Sequence, residues 1–303
     1  MSRPAAPPGM KFFGPERPEA GPHALEMEFG GLRLALEGLS LPLVDRLVSR
    51  YSPYARLGPG SQGALRVRLG LEDRDYFIAP PGTPENNPVL LAVEGERVRY
   101  LGYRVAGWLD LRETRGQILL SRGGYEPEER AIENYARVAV AWMAASRGGG
   151  LIHAASAVWR GKGYLFYGPS GAGKSTLCAC NTRARIVSDD LSIVLPDEEG
   201  RAGLDLVGSP FRGTYTAGEP VRGRFPLAAA LRLVKAERTE VERVPRPRAF
   251  AGLVANLPFV AETFPRRPDL FQRLERAFEN VPLAWLRFRK DDSYWDALER
   301  AGL

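Results

Sequence analysis

The chain has 303 residues, room for roughly two domains at about 150 residues each. Hydrophobic residues make up 44% and charged residues 26%, which excludes collagen-like, coiled-coil and wholly disordered chains. Forty-two basic against thirty-six acidic residues leave a net charge of +6, an excess spread along the chain that reads as solvated surface and not as a nucleic-acid interface.

Residues 1–23 are rich in proline and lack the apolar core of a signal peptide, which predicts a disordered tail and a cytoplasmic protein. From 24 to 126, short apolar runs alternate with clusters of Gly, Pro, Asn and Asp. The runs at 25–29 and 32–36 flank Gly30-Gly31, a two-residue hairpin signal. Further strands are expected at 64–71, 76–79, 89–93, 97–101, 103–109 and 117–121, with one helix at 43–51. This stretch reads as a mostly antiparallel β domain and contains no chemical motif of its own.

A second domain is expected over 127–303. Pro127 suits a first helical turn, and Glu128 and Glu129 complement the positive end of the helix. Ile132, Tyr135, Val138, Ala139 and Trp142 recur at helical spacing and form one apolar stripe, read as core packing. The longest apolar stretch, 138–145, is far short of the ~20 residues that a membrane span requires. Gly148-Gly149-Gly150 ends the helix and reads as a joint. Strands follow at 151–159 and 164–167, separated only by Arg160-Gly161-Lys162-Gly163. So short a connection joins antiparallel neighbours, because a parallel crossover takes a dozen residues or more. Beyond them the pattern gives a helix at 174–182, a strand at 185–188, a hairpin around 197–203 and a strand near 229–235. Helices near 246–256 and 268–279, a strand at 283–289 and a helix from Ser293 complete the chain. Lysine is scarce, occurring only at Lys11, Lys162, Lys174, Lys235 and Lys290. Cys178 and Cys180 are too few for a disulfide scaffold or a zinc site.

Gly168-Pro169-Ser170-Gly171-Ala172-Gly173-Lys174-Ser175 fits G-x-x-x-x-G-K-[ST], the Walker A phosphate loop (P-loop), with a strand entering it and a helix leaving. Glycines let successive backbone N–H groups turn inward on a phosphate, and the helix start adds a favourable dipole. Lys174 is placed to reach the β- and γ-phosphates, and Ser175 to give its hydroxyl to Mg²⁺. Fifteen residues beyond Lys174, a short strand ends in Asp189-Asp190, where a nucleotide-bound Mg²⁺ needs oxygen ligands. Successive strand residues face opposite ways, so the two carboxylates can divide the work.

The order of these motifs resembles the HPr kinase/phosphorylase family and its phosphoenolpyruvate-carboxykinase-like nucleotide domain. The resemblance begins at His153-Ala154-Ala155-Ser156-Ala157-Val158 and runs through Gly168–Thr176 to Ile186-Val187-Ser188-Asp189-Asp190. It continues less specifically over Gly208-Ser209-Pro210-Phe211-Arg212-Gly213 and Phe225-Pro226-Leu227. Thr176 stands where the enzyme acting on HPr has an acidic residue, and 244–248 does not match its arginine-rich signature. The chain therefore looks like a divergent member of the broad group.

The resemblance implies an α/β (α+β) fold, a mixed-sheet P-loop domain of phosphoenolpyruvate-carboxykinase-like type preceded by the β domain. It implies a kinase using ATP and Mg²⁺ to phosphorylate a hydroxyl of a peptide, a protein or a small molecule, with the β domain presenting or recognising that acceptor. Asp190 is expected as the base and Asp189 on the metal side with Ser175. Residues 168–176 would bind the nucleotide. His153 would lie near the γ-phosphate, and Arg212 would meet developing charge beside Lys174. The alternative class is an ATP-binding regulator or scaffold without phosphoryl transfer. A decarboxylating enzyme shares the loop, but this chain is short for one. Self-association into a homo-oligomer stays open, and neither nucleic acid nor membrane is expected as a partner.

Overall fold

A computed structural model describes residues 19–72, 89–102, 105–122, 127–198, 203–215 and 217–303. The fold is mixed α/β, and the chain divides into two compact units, Met1–Ala139 and Val140–Leu303. The tail expected over the first residues falls outside the described residues up to 18, as does the strand expected at 76–79.

The first unit is built on a sheet of eight strands: β1 (His23–Phe29), β2 (Leu32–Leu39), β3 (Ala55–Leu57), β4 (Leu65–Glu72), β5 (Leu90–Glu94), β6 (Arg97–Leu101), β7 (Val105–Asp110) and β8 (Arg115–Ser121). Their order is β3-β1-β2-β4-β8-β7-β6-β5. Gly30 and Gly31 both take positive φ, 54° and 87°, and close the β1–β2 hairpin as expected. Ala20 and Gly21 donate to the Gly38 carbonyl (3.0 and 3.1 Å), so the chain is already tied to β2 before β1 begins. The sheet is antiparallel except at its centre, where β4 runs parallel to β2 and to β8. Helix α1 (Leu41–Tyr51) buries Leu43, Val44, Leu47 and Tyr51, one stripe at helical spacing. Helix α2 (Glu128–Ser146) contains the division between the units. In its first half, Tyr135 lies over Gly107 and Gly116, where an added Cβ would come within 2.7 and 2.6 Å of the tyrosine. Its hydroxyl donates to the Trp108 carbonyl (2.7 Å). The two glycines thus make room for a buried aromatic that fixes the helix on the sheet.

The second unit holds β9 (Gly150–Trp159), β10 (Lys162–Tyr167), α3 (Lys174–Cys180), β11 (Arg185–Ser188), β12 (Leu191–Pro196), β13 (Leu204–Val207) and β14 (Arg224–Lys235), then β15 (Glu240–Glu242), α4 (Arg246–Val254), α5 (Pro268–Phe278), β16 (Leu283–Phe288) and α6 (Tyr294–Arg300). Gly148-Gly149-Gly150 turns the chain from α2 into β9 inside this unit. A Cβ at Gly149 would meet the Val194 carbonyl at 2.1 Å. β9 and β10 pair antiparallel, as the short connection required. β10 then pairs parallel with β14, and β14 parallel with β16. At its start β9 pairs with β12, whereas β11 pairs with its later residues. The loop strand β10 therefore has an antiparallel neighbour on one side and a parallel neighbour on the other. The three-residue strands β3 and β15 were too short for the apolar pattern to show.

An aromatic core under the loop secures β10. Trp159 and Trp295 pack with ring centroids 4.7 Å apart, and Tyr164 and Phe166 meet Trp295 edge-on. Asn181, just past α3, accepts from the Trp295 indole N–H (3.1 Å) and the Tyr294 hydroxyl (3.3 Å), which links α3 to α6. Among the described residues no helix is long and apolar enough to cross a membrane. Trp295→Ala is expected to cost about 3–5 kcal/mol, read as a lower denaturant midpoint for the second unit. A loss below about 1 kcal/mol would be inconsistent with a ring that touches three strand aromatics.

Candidate functional site

The carboxyl ends of three parallel strands, β10, β14 and β16, reach the same edge of the second unit. Open α/β sheets place their ligand crevices at such an edge. Because β9 is antiparallel to β10, its first residues arrive there too: Ala154 stands opposite Tyr167. A cavity of about 450 Å³ opens at this edge.

The loop 170–176 forms one wall of the cavity. Gly171 and Gly173 take φ of 75° and 109°, where a side chain would be strained. Gly168 and Pro169, expected to contact the nucleotide, do not line the cavity; their carbonyls accept from the Lys174 ammonium at 2.9 and 3.4 Å. Burial pulls the Lys174 pKa below its ordinary value, and Asp190 opposes that pull.

Asp189 and Asp190 follow β11 and have different surroundings. Asp189 is 4% exposed, and its carboxylate is ringed by donors. Oδ1 accepts from the Gly213 N–H (2.7 Å). Oδ2 accepts from the Thr214 and Tyr215 N–H groups (3.1 Å each) and from the Thr214 and Ser175 hydroxyls (3.3 Å each). Ser175 thus commits its proton to Asp189 and keeps its oxygen lone pairs for a cation. Asp190 is half-buried and its Oδ1 lies 3.5 Å from Nε2 of His153. Burial first, and then the charge of Lys174, hold His153 below its ordinary pKa, against the pull of Asp190. Its imidazole is neutral at pH 7.

Of the residues singled out in the sequence, Ser170 to Thr176, His153, Asp189 and Asp190 line one cavity. Arg212 does not join them. Its guanidinium donates to the carbonyls of Val187 (3.3 Å), Gly218 (3.0 Å) and Glu219 (2.9 Å), so it clamps the backbone beside the site. Cys178 is also withdrawn from chemistry, because burial pushes its thiol up to about 12. Six wall residues were not anticipated. Gly213 and Thr214 come from the loop that caps Asp189, Lys235 and Phe288 end β14 and β16, and Ala236 and Lys290 follow just beyond those strands. The scarcity of lysine was the available signal, since three of the five in the chain meet here.

A Mg²⁺ ion is normally held by one or two carboxylates together with phosphate oxygens and water. The Ser175 hydroxyl oxygen fits that donor set directly, whereas Asp189, expected on the metal side, already accepts five hydrogen bonds and stands behind Ser175. The described residues contain no group of three or more His, Cys, Asp or Glu side chains able to hold a metal by themselves. Comparison with protein-family models finds no match, and comparison with curated proteins finds none.

The neutral His153 has a consequence for stability. Its folded pKa lies below the unfolded value of 6.5, so the unfolded chain binds more protons. The contribution is fully present above the unfolded value and is lost as pH falls through the folded one. Between about pH 7 and about pH 5.5 the wild type should lose more stability than His153→Gln, measured by denaturant unfolding at both values. Parallel losses in the two proteins would contradict the assignment.

Proposed function

We propose that this chain is a Mg-ATP-dependent phosphotransferase of HPr-kinase-like type that moves a γ-phosphoryl group to a hydroxyl of a peptide, a protein or a small molecule. The observation that carries the reading is the meeting of Lys174, Ser175, Asp190 and His153 around one cavity at the end of the loop strand. An antiparallel hairpin directly before the loop, with a parallel neighbour beyond it, supports the likeness to phosphoenolpyruvate-carboxykinase-like nucleotide domains.

When bound, Mg-ATP supplies the transferable phosphoryl group, and the cation offsets the charge that develops on it. Lys174 and the N–H groups of 170–175 bind phosphate oxygens. The Ser175 hydroxyl, oriented by Asp189, supplies a cation ligand. Asp190 accepts the proton of the acceptor hydroxyl as the oxygen attacks, and releases it to solvent after transfer. His153 stays neutral beside Asp190, so it does not neutralise that carboxylate as an imidazolium would. Asp189 holds Ser175 and residues 213–215 in position.

Two predictions test this assignment. Lys174→Ala should abolish the thermal stabilisation given by Mg-ATP, worth about 2.7 kcal/mol at a hundred times the dissociation constant, while the ligand-free protein stays folded. An unchanged shift would refute nucleotide binding at this loop.

The carboxylate variants should separate on binding. Asp190→Asn should bind Mg-ATP nearly as well as wild type, while transfer of label from γ-labelled ATP into a cell extract falls by about 10²–10⁴-fold. Asp189→Asn should weaken binding as well, because an amide cannot accept from all five donors and leaves about 1–3 kcal/mol of unmet hydrogen bonding. Labelled-phosphate transfer that is absent even in the wild type, with Mg-ATP bound, would favour the regulator or scaffold.

A further inference from the structure

Lys235 and Lys290 belong to none of the roles above, yet both face the cavity. Lys235 ends β14 and stands opposite Phe288 in the parallel pairing with β16. The Ala236 N–H donates to the Phe288 carbonyl (3.2 Å), which keeps the two strand ends together at this point. The Phe288 ring is 4% exposed and faces Gly173, 3.8 Å from where a Cβ would sit. It is therefore a floor joining the strand end to the loop. Both lysines are exposed, and neither is held by a carboxylate among the described residues. Many arginines of this unit are engaged with carboxylates or carbonyls, as Arg183, Arg212, Arg224 and Arg287 are, whereas these two lysines share one cavity wall.

The strand order fixes which part of a ligand they can meet. His153 and Asp190 come from the β9 side of β10, and the two lysines from the β14 and β16 side, with the loop between them. β9 and β16 are three strand spacings apart, about 14 Å at ~4.8 Å each. Phosphoryl transfer is in line, so acceptor and leaving phosphate lie on opposite sides of the transferred phosphorus. If Asp190 serves the acceptor hydroxyl, the rest of the donor extends away from it, across the loop and toward Lys235 and Lys290.

We infer that Lys235 and Lys290 form a cationic seat for the α-phosphate of a nucleoside triphosphate, the end of the donor remote from the acceptor. This inference rests on the proposed phosphotransfer reading and adds which residues bind the far end of the donor. Two positive charges at that end complement a chain whose γ-end is met by a cation and Lys174, so the whole triphosphate is neutralised along its length.

The test is calorimetric titration with the Mg complex of β,γ-imido-ATP, and in parallel with imidodiphosphate, which has no α-phosphate. Lys235→Met/Lys290→Met should raise the dissociation constant for the nucleotide about tenfold, the size expected of two exposed ionic contacts. Imidodiphosphate affinity should stay near wild type. Lys235→Arg/Lys290→Arg should recover most of the nucleotide affinity, because it restores the charge. Equal losses for both probes would overturn the seat in favour of a general attraction to anions. Unchanged nucleotide binding with a raised KM for the acceptor would overturn it in favour of an acceptor site. If the wild type itself fails to bind the nucleotide, the phosphotransfer reading falls and the seat with it; if the wild type binds and the methionine variant binds equally, the seat alone falls.

Discussion

A carboxylate can be buried only where donors replace the water it loses, and Asp189 meets that condition with five hydrogen bonds. Much of the site's geometry depends on it. To bring three consecutive N–H groups onto one side chain, the backbone at 213–215 must close over the end of β11. Gly213 permits this approach. A Cβ there would lie 3.1 Å from the Asp190 Cβ and 3.2 and 3.3 Å from the Asp189 oxygens. Arg212 holds the same segment from outside through three backbone carbonyls. The fifth donor is Ser175, so the same carboxylate that secures the cap also orients the hydroxyl at the end of the glycine-rich loop.

The second organising feature is the mixed pairing of β10. An all-parallel neighbourhood would bring only strand ends to the cavity edge. Here an antiparallel partner brings a strand beginning as well, and with it His153, which is held in place by a backbone bond from its own N–H to the Asn256 carbonyl (2.8 Å). The parallel partners contribute Lys235 and Lys290 from the opposite flank. The edge is consequently polar along its length, with a carboxylate and an imidazole on one side of the loop and two ammonium groups on the other. Local sequence chemistry makes the loop, but pairing direction decides what faces it.

The features legible in the sequence are those whose cause is local. The glycine-rich loop, the hairpin before it and the Asp189-Asp190 pair are each specified within a few residues, by glycine, by connection length and by a strand ending in acids. The longer described strands and helices of both halves follow from apolar periodicity in the same way, whereas β3 and β15 do not. The parallel centre of the first sheet was not legible, because parallel pairing joins segments distant in sequence and leaves no turn signal between them. Arg212 shows the converse limit. Its loop was recognised, but whether a guanidinium meets a ligand or a carbonyl is settled by backbone folded around it. Lys235 and Lys290 were visible as rare residues, yet only the parallel register of β10, β14 and β16 brings them to one edge.

Charge at the site is coupled as well as placed. The ammonium of Lys174 helps keep His153 unprotonated, while Asp190 favours its protonation. Both influences act at short range, so they require that Lys174, His153 and Asp190 stay close and partly withdrawn from water. β9, β10 and the segment that follows β11 supply that closeness.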